Sequence, residues 1–205
     1  MGRLRTFIAV AVSQDVRDRA EILLNRLSRS EINASWTKPE NMHVTLKFLG
    51  DIDETLIPDL CRHVATTAES HAPFQLTFTA AGAFPSIDRP RAVWMGPGEG
   101  ADEITKLQAD LEENLLDLRI PRERRRFKPH LTLGRIREGG PRAEELTTIL
   151  HKNAEFDGKS CKVEQVLTLA SYLEKSGPTY LVLARAPLTG PLRSRLEINP
   201  ASGLE

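Results

Sequence analysis

The chain has 205 residues, 40% hydrophobic and 27% charged, an ordinary balance for a globular protein with ample core. Its 28 basic and 28 acidic side chains cancel, so no overall field draws it to nucleic acid or membrane, and any polyanion site must be a local patch. Two cysteines, Cys61 and Cys161, show neither CxxC nor metal-ligand spacing, which argues against a disulfide framework or zinc ribbon and fits a reducing cytoplasm.

The predicted elements alternate along the chain. "RLRTFIAVAV" from Arg3 to Val12 is rich in β-branched and apolar residues and predicts a buried strand. Its apolar part is far too short for a membrane span, and no membrane partner is expected. The start "MGRLRT" matches the loose myristoylation pattern by accident, since a strand beginning at Leu4 would crowd an acyl chain. Ser13 predicts an N-cap for a helix with Val16, Ala20, Leu23, Leu24 and Leu27 along one face. A strand follows from Met42 to Leu49, then a helix marked by Leu56, Leu60, Cys61, Val64 and Ala68, with Pro58 near its start.

"FQLTFTA" and "RAVWMG" predict two further strands, and Ile104, Leu107, Leu111, Leu115 and Leu118 a third helix. Beyond them come a strand at His130, a short helix from Ala143 to Leu150, and strands at Val163 to Leu173 and Tyr180 to Arg185. From Pro187 the tail is rich in Pro, Gly and Ser, and residues 189–205 are expected to be poorly ordered. No disordered linker divides residues 1–188, which predicts one α+β domain of two related lobes with mixed or antiparallel sheets.

Two stretches carry the chemistry: "HVTLKFLG" from His43 and "HLTLGR" from His130. Side chains at i and i+2 of a strand share a face, about 6.5 Å apart. His43 therefore projects with Thr45 while Val44, Leu46 and Phe48 point into a core, and His130 projects with Thr132 while Leu131 and Leu133 lie behind. If the lobes face one another, two imidazoles and two hydroxyls share a cleft in rough two-fold arrangement. In-line displacement at phosphorus needs a base on the attacking side and an acid on the leaving side, and histidine serves both near neutrality. A threonine hydroxyl can donate to a non-bridging phosphate oxygen.

These residues resemble the paired HxTx motifs of the two-histidine (2H) phosphoesterases. More narrowly, they resemble the RNA 2′,3′-cyclic phosphodiesterase (2′-5′ RNA ligase) family. The likeness continues through "RTFIAV", "FPSIDRPRAVWMG", "RRFKPHLTLGR" and "ASYLEKSGPTYLVL". It implies a bilobal fold with mostly antiparallel sheets flanked by helices and an inter-lobe active site. It further implies that His43 is the proton donor and His130 the proton acceptor in opening a 2′,3′-cyclic phosphate to a 2′-phosphomonoester. Thr45 and Thr132 would hold the phosphate, with no metal, ATP or other cofactor. Replacing water by a 5′-hydroxyl would give a 2′-5′ linkage, the family's ligase reaction. RNA ends or small cyclic nucleotides are the expected partners of a cytoplasmic monomer.

The basic segment "RERRRFK" from Arg122 to Lys128 precedes His130. Charge runs are commonly solvated loops, but this one adjoins the motif, so Arg126 is the preferred RNA contact. Phe127 is a candidate for base stacking or for the core, and Lys47 a further candidate because it shares strand parity with His43. His63, His71 and His151 are expected to be structural, and Arg91 likewise. Two other classes compete: a module that binds nucleotide or RNA ends without turnover, and a metal hydrolase using the histidines with Asp51 or Asp53.

Overall fold

A computed structural model describes residues 2–30, 32–137, 143–174 and 177–191. In chain order they form β1 (Arg3–Ala11), α1 (Gln14–Ser28), β2 (Ala34–Trp36), β3 (His43–Asp53), α2 (Ile57–Glu69), β4 (Phe74–Pro85) and β5 (Pro90–Pro97). Then come α3 (Ala101–Asn114), β6 (Leu131–Ile136), α4 (Ala143–Lys152), β7 (Ser160–Val163), β8 (Gln165–Glu174) and β9 (Gly177–Pro187).

The strands make one sheet in the order β7-β4-β5-β6-β3-β1-β8-β9, with β2 added beside β6. Every described strand pairing is antiparallel. The two motif strands, β6 and β3, lie at the middle of that order, with three strands beyond each. This is the expected α+β, antiparallel, two-lobed arrangement. The lobes are not halves of the sequence, however. Strands β1, β3, β8 and β9 form one lobe, backed by α2 and α3, while β4 to β7 form the other, backed by α1 and α4.

Local chemistry explains the helices. Ser13 Oγ accepts from the Val16 N–H at 3.4 Å, so it caps α1 as expected. Val16, Ala20, Leu23 and Leu27 then turn into the core at helical spacing, leaving Leu24 half-buried. In α2, Pro58 sits in the first turn, where its missing N–H costs nothing, and Leu60, Val64 and Ala68 are buried. Ile104, Leu107, Leu111 and Leu115 anchor α3 and the 3₁₀ turn after it. Each such fully buried leucine contributes about 1.5–3 kcal/mol relative to exposure.

The sheet has a main core on its helix-covered face and a smaller cluster on the other, made of Phe7, Ala9, Leu167 and Leu169 with Tyr180 and Val182 against it.

Several expectations are corrected. The strand predicted over 163–173 is two, β7 and β8, broken at Glu164. The three-residue β2 gives too little alternation for sequence to reveal. Cys61 and Cys161 are free thiols, in keeping with their spacing in the sequence. The predicted tail is fastened at its start: Leu188 is buried, its N–H donates to the Glu164 carbonyl at 2.8 Å, and the Gly190 N–H donates to the His71 carbonyl at 2.9 Å. Residues 192–205 lie outside the described residues.

Phe48 and Lys47 exchange places relative to strict alternation. Thr45 pairs with Ala9 while Lys47 pairs with Ile8, so Leu46 is an extra residue, a β-bulge that reverses parity beyond it. Phe48 thus returns to the face of His43 and is 62% exposed. Lys47 turns into the interior, 5% exposed, where Nζ donates to Glu112 Oε2 at 2.6 Å and to the Pro121 carbonyl at 2.9 Å. Lys47 is therefore not an RNA contact.

Glu112 also accepts from Gln108 Nε2 at 3.0 Å and from the Glu123 N–H at 3.1 Å, so the buried pair ties α3, β3 and the loop before His130 together. Removing one member leaves the other charge buried and uncompensated, which costs about 3–5 kcal/mol. Lys47→Met is accordingly expected to lower the urea unfolding midpoint by that much stability with an unchanged m-value. A loss below about 1 kcal/mol would show that the pair does not organise this region.

Candidate active site

The seam between the lobes is the single pair Val44 opposite Leu131. Both side chains are buried in the main core. Continuing that antiparallel register one residue each way sets His43 across from Thr132 and Thr45 across from His130. All four project to the face opposite the main core. One crossing point thus assembles the constellation read from sequence, and the two motifs are interchanged about it.

The two imidazoles are held alike. His43 Nδ1–H donates to the Asn41 carbonyl, and His130 Nδ1–H donates to the Lys128 carbonyl, each at 2.7 Å and each two residues upstream. A neutral ring anchored this way presents its Nε2 lone pair outward, and a protonated ring presents Nε2–H. Asn41 is itself fixed, its Nδ2 donating to the Pro178 carbonyl of β9 at 2.8 Å. Aromatic rings set the remaining orientation. His43 lies 4.9 Å from Phe7 and 5.3 Å, edge-on, from Tyr180, while His130 meets Phe84 edge-on at 5.0 Å.

The bulge in β3 recurs in β6. Trp94 pairs with Thr132 and Val93 with Gly134, so Leu133 is the extra residue, as Leu46 is in the first motif. The sixth position of each motif therefore returns to the site face: Phe48 in one, Arg135 in the other. Arg5 reaches the same face from β1, two residues before Phe7. Arg135 and Arg5 both act electrostatically on Tyr180, which brings these cations and the phenol to one region beside His43.

The sequence profile of the 2′-5′ RNA ligase superfamily matches residues 14–173. The chain belongs to that superfamily. A Thermotoga maritima relative named RNA 2′,3′-cyclic phosphodiesterase is 31% identical over 92% of this chain and 98% of its own. An Archaeoglobus fulgidus relative of the same name is 33% identical, over 86% and 96%. A Thermus thermophilus crystal structure superposes with a TM-score of 0.76 at 27% identity, covering 91% of this chain and 98% of that one. Escherichia coli LigT complexed with 3′-AMP shares the fold, with a TM-score of 0.73 at 23% identity over 91% and 99%.

Of the other residues that sequence singles out in this superfamily member, Arg126 is exposed in the loop leading to His130. Phe127 is half-buried, packing against the main core and lining a surface recess with Gln108, Glu112 and Arg125. His63 engages Asn114, and His71 Nε2 engages Asp110 at 2.9 Å, both structural as expected. Asp53 accepts from the Thr55 N–H and hydroxyl, capping the turn before α2. Sequence reasoning misses Arg135, Tyr180, Phe7 and Phe84. Arg135 has a signal, since it occupies in the second motif the place of Phe48 in the first, but strict alternation sends it to the wrong face.

Burial is the main influence on both imidazoles and lowers each pKa from the ordinary histidine value. The anchoring carbonyls oppose it, while the charge of His130 depresses His43 further and that of Arg135 depresses His130. Both rings in the free protein should hence titrate below 6.5 and be neutral at pH 7, with the proton on Nδ1. Nitrogen-15 NMR of the imidazoles is expected to show Nδ1–H tautomers for both. A dominant Nε2–H form, or titration above the ordinary histidine range, would contradict the geometry.

Proposed function

We propose that this protein opens the 2′,3′-cyclic phosphate at an RNA end, or in a small cyclic nucleotide, to a 2′-phosphomonoester. The reading is carried by two identically anchored histidines brought together at one strand crossing, each with a threonine alongside. His130 Nε2 takes a proton from water as the oxygen attacks phosphorus, and the P–O3′ bond breaks on the opposite side. His43 Nε2–H gives its proton to the departing 3′ oxygen, leaving a free 3′-hydroxyl. Thr45 and Thr132 donate to the non-bridging oxygens, and Arg135 supplies positive charge where charge accumulates. The strained ring lowers what the acid and base must contribute, and Tyr180 and Phe7 hold the acid against rotation.

The reaction so written needs His43 protonated and His130 neutral. Burial disfavours the first condition in the free protein, and the bound phosphate anion restores it by raising the pKa of His43. The free thiols accord with the cytoplasm as the place of action, and the local cations Arg5, Arg126 and Arg135 with an RNA end as partner. A monomer suffices, since both motifs come from one chain.

His43→Ala and His130→Ala are each expected to lower turnover at least a few hundredfold with modest effects on substrate binding. On an oligonucleotide ending in a 2′,3′-cyclic phosphate, the product in excess chelator should be the 2′-monoester. Near wild-type rates in either variant refute the acid–base pair. Binding without product supports a non-catalytic module, the 3′ isomer reverses the direction of opening, and loss restored by a divalent ion supports a metal hydrolase.

A further inference from the structure

The two histidines are anchored alike but braced differently. His130 donates to the carbonyl of Lys128, an exposed residue of the loop before β6, whose ammonium stands 5.8 Å over the Phe84 ring. His43 donates to the carbonyl of Asn41, and that residue is held from three sides. The Asn41 N–H donates to the Lys38 carbonyl at 2.9 Å, closing a 3₁₀ turn that Pro39 opens. Met42, next along the chain, is buried in the main core. Asn41 Nδ2 donates to the Pro178 carbonyl at 2.8 Å, a contact between residues 137 apart in sequence.

Pro178 lies near the start of β9, the last strand of its lobe, which has β8 on one side only. The end of such a strand frays unless a group outside the ladder holds it. Among the described residues, Asn41 Nδ2 makes the one side-chain hydrogen bond between the 39–42 turn and β9. Tyr180 stands two residues further, on the same strand face as Pro178. Its ring meets His43 edge-on at 5.3 Å and Phe7 edge-on at 4.9 Å. One residue thus fixes the imidazole twice. Its carbonyl holds Nδ1, and its carboxamide holds the strand that supplies the aromatic wall.

We propose that Asn41 is the positioning residue of the proton donor, a clasp that sets His43 against Tyr180 and aims Nε2 at the departing 3′ oxygen. The inference rests on the assignment of His43 as the acid. Proton transfer to a leaving oxygen needs hydrogen-bond reach, and a displacement of about 1 Å can cost roughly a hundredfold. The carbonyl bond alone lets the ring pivot about Nδ1, and the tyrosine edge removes that freedom. The groups facing His43 are Phe7 from β1, Tyr180 from β9 and, by its charge, His130 at the head of β6. Opening the clasp takes Tyr180 away and admits water. Burial is the main influence lowering the pKa of His43, so that pKa then climbs back towards 6.5 while the Asn41 carbonyl still favours the charged ring. His130 keeps its own carbonyl and its contact with Phe84, so its titration stays where it was.

The test compares the wild type with Asn41→Ala and with Asn41→Leu, which keeps the side-chain volume and removes the donor. On an oligonucleotide ending in a 2′,3′-cyclic phosphate, kcat is expected to fall at least about tenfold in both, with KM within about twofold. Adding Tyr180→Ala to Asn41→Ala should leave the protein no slower than the slower single variant, because both changes undo one device. In the free Asn41→Ala protein, nitrogen-15 NMR should show His43 titrating nearer 6.5 than in the wild type, with Nδ1–H kept and His130 unmoved. Wild-type kcat in both variants, a loss confined to KM, or losses that multiply in the double variant overturns the clasp and leaves the hydrolase reading intact. Equal movement of both titrations marks general loosening of the fold and overturns it too. The titration reads the free protein, so it tests the clasp independently of turnover, whereas a wild type that opens no cyclic phosphate refutes the function itself.

Discussion

A single backbone register, Val44 opposite Leu131, sets the geometry of the candidate active site. The sheet is continuous on either side of that point but narrows there to one described pair, so the two lobes meet through the motif strands themselves. Because antiparallel neighbours share a face, the register that buries Val44 and Leu131 also exposes His43, Thr45, His130 and Thr132 together. Core packing and site assembly are one constraint. A slip of one residue would send both imidazoles into the main core and both aliphatic partners into the cleft.

The paired bulges give that constraint its second consequence. Leu46 and Leu133 each add a residue just past the histidine–threonine pair, and each reverses the facing of the strand beyond it. In the first lobe the reversal buries Lys47, whose ammonium then fastens α3 and the loop approaching His130. In the second it buries Gly134, where an added Cβ would meet the Trp36 ring at 2.4 Å. The residues after them, Phe48 and Arg135, come back to the site unlike in chemistry. The two-fold likeness of the motifs is thereby broken where substrate would lie, one side aromatic and the other cationic.

Much of this is legible in the sequence. The duplicated motif reveals the histidines and threonines, their offset implies a common face, and Ser13 and the leucine spacing mark the helices. The misplaced motif-strand residues have one physical origin. Alternation with period two assumes an unbroken ladder, and bulges leave almost no trace in residue types. Strict alternation accordingly misplaces Lys47, sends Phe48 to the core and overlooks Arg135. Tyr180 escapes it because that ring reaches His43 only through the pairing of β9 with β8 and of β8 with β1, contacts distant in sequence. The interleaving of the lobes is a property of the same long-range pairings.

The central claim is geometric: nucleophile and leaving oxygen occupy opposite apices of one phosphorus, served by His130 and His43 respectively. Stereochemistry at phosphorus reports this directly. With a 2′,3′-cyclic phosphorothioate of defined configuration opened in oxygen-18 water, a single in-line displacement predicts inversion in the 2′-phosphorothioate product. Retention would mean two displacements or attack from the same side, and would contradict a phosphate held between the two rings.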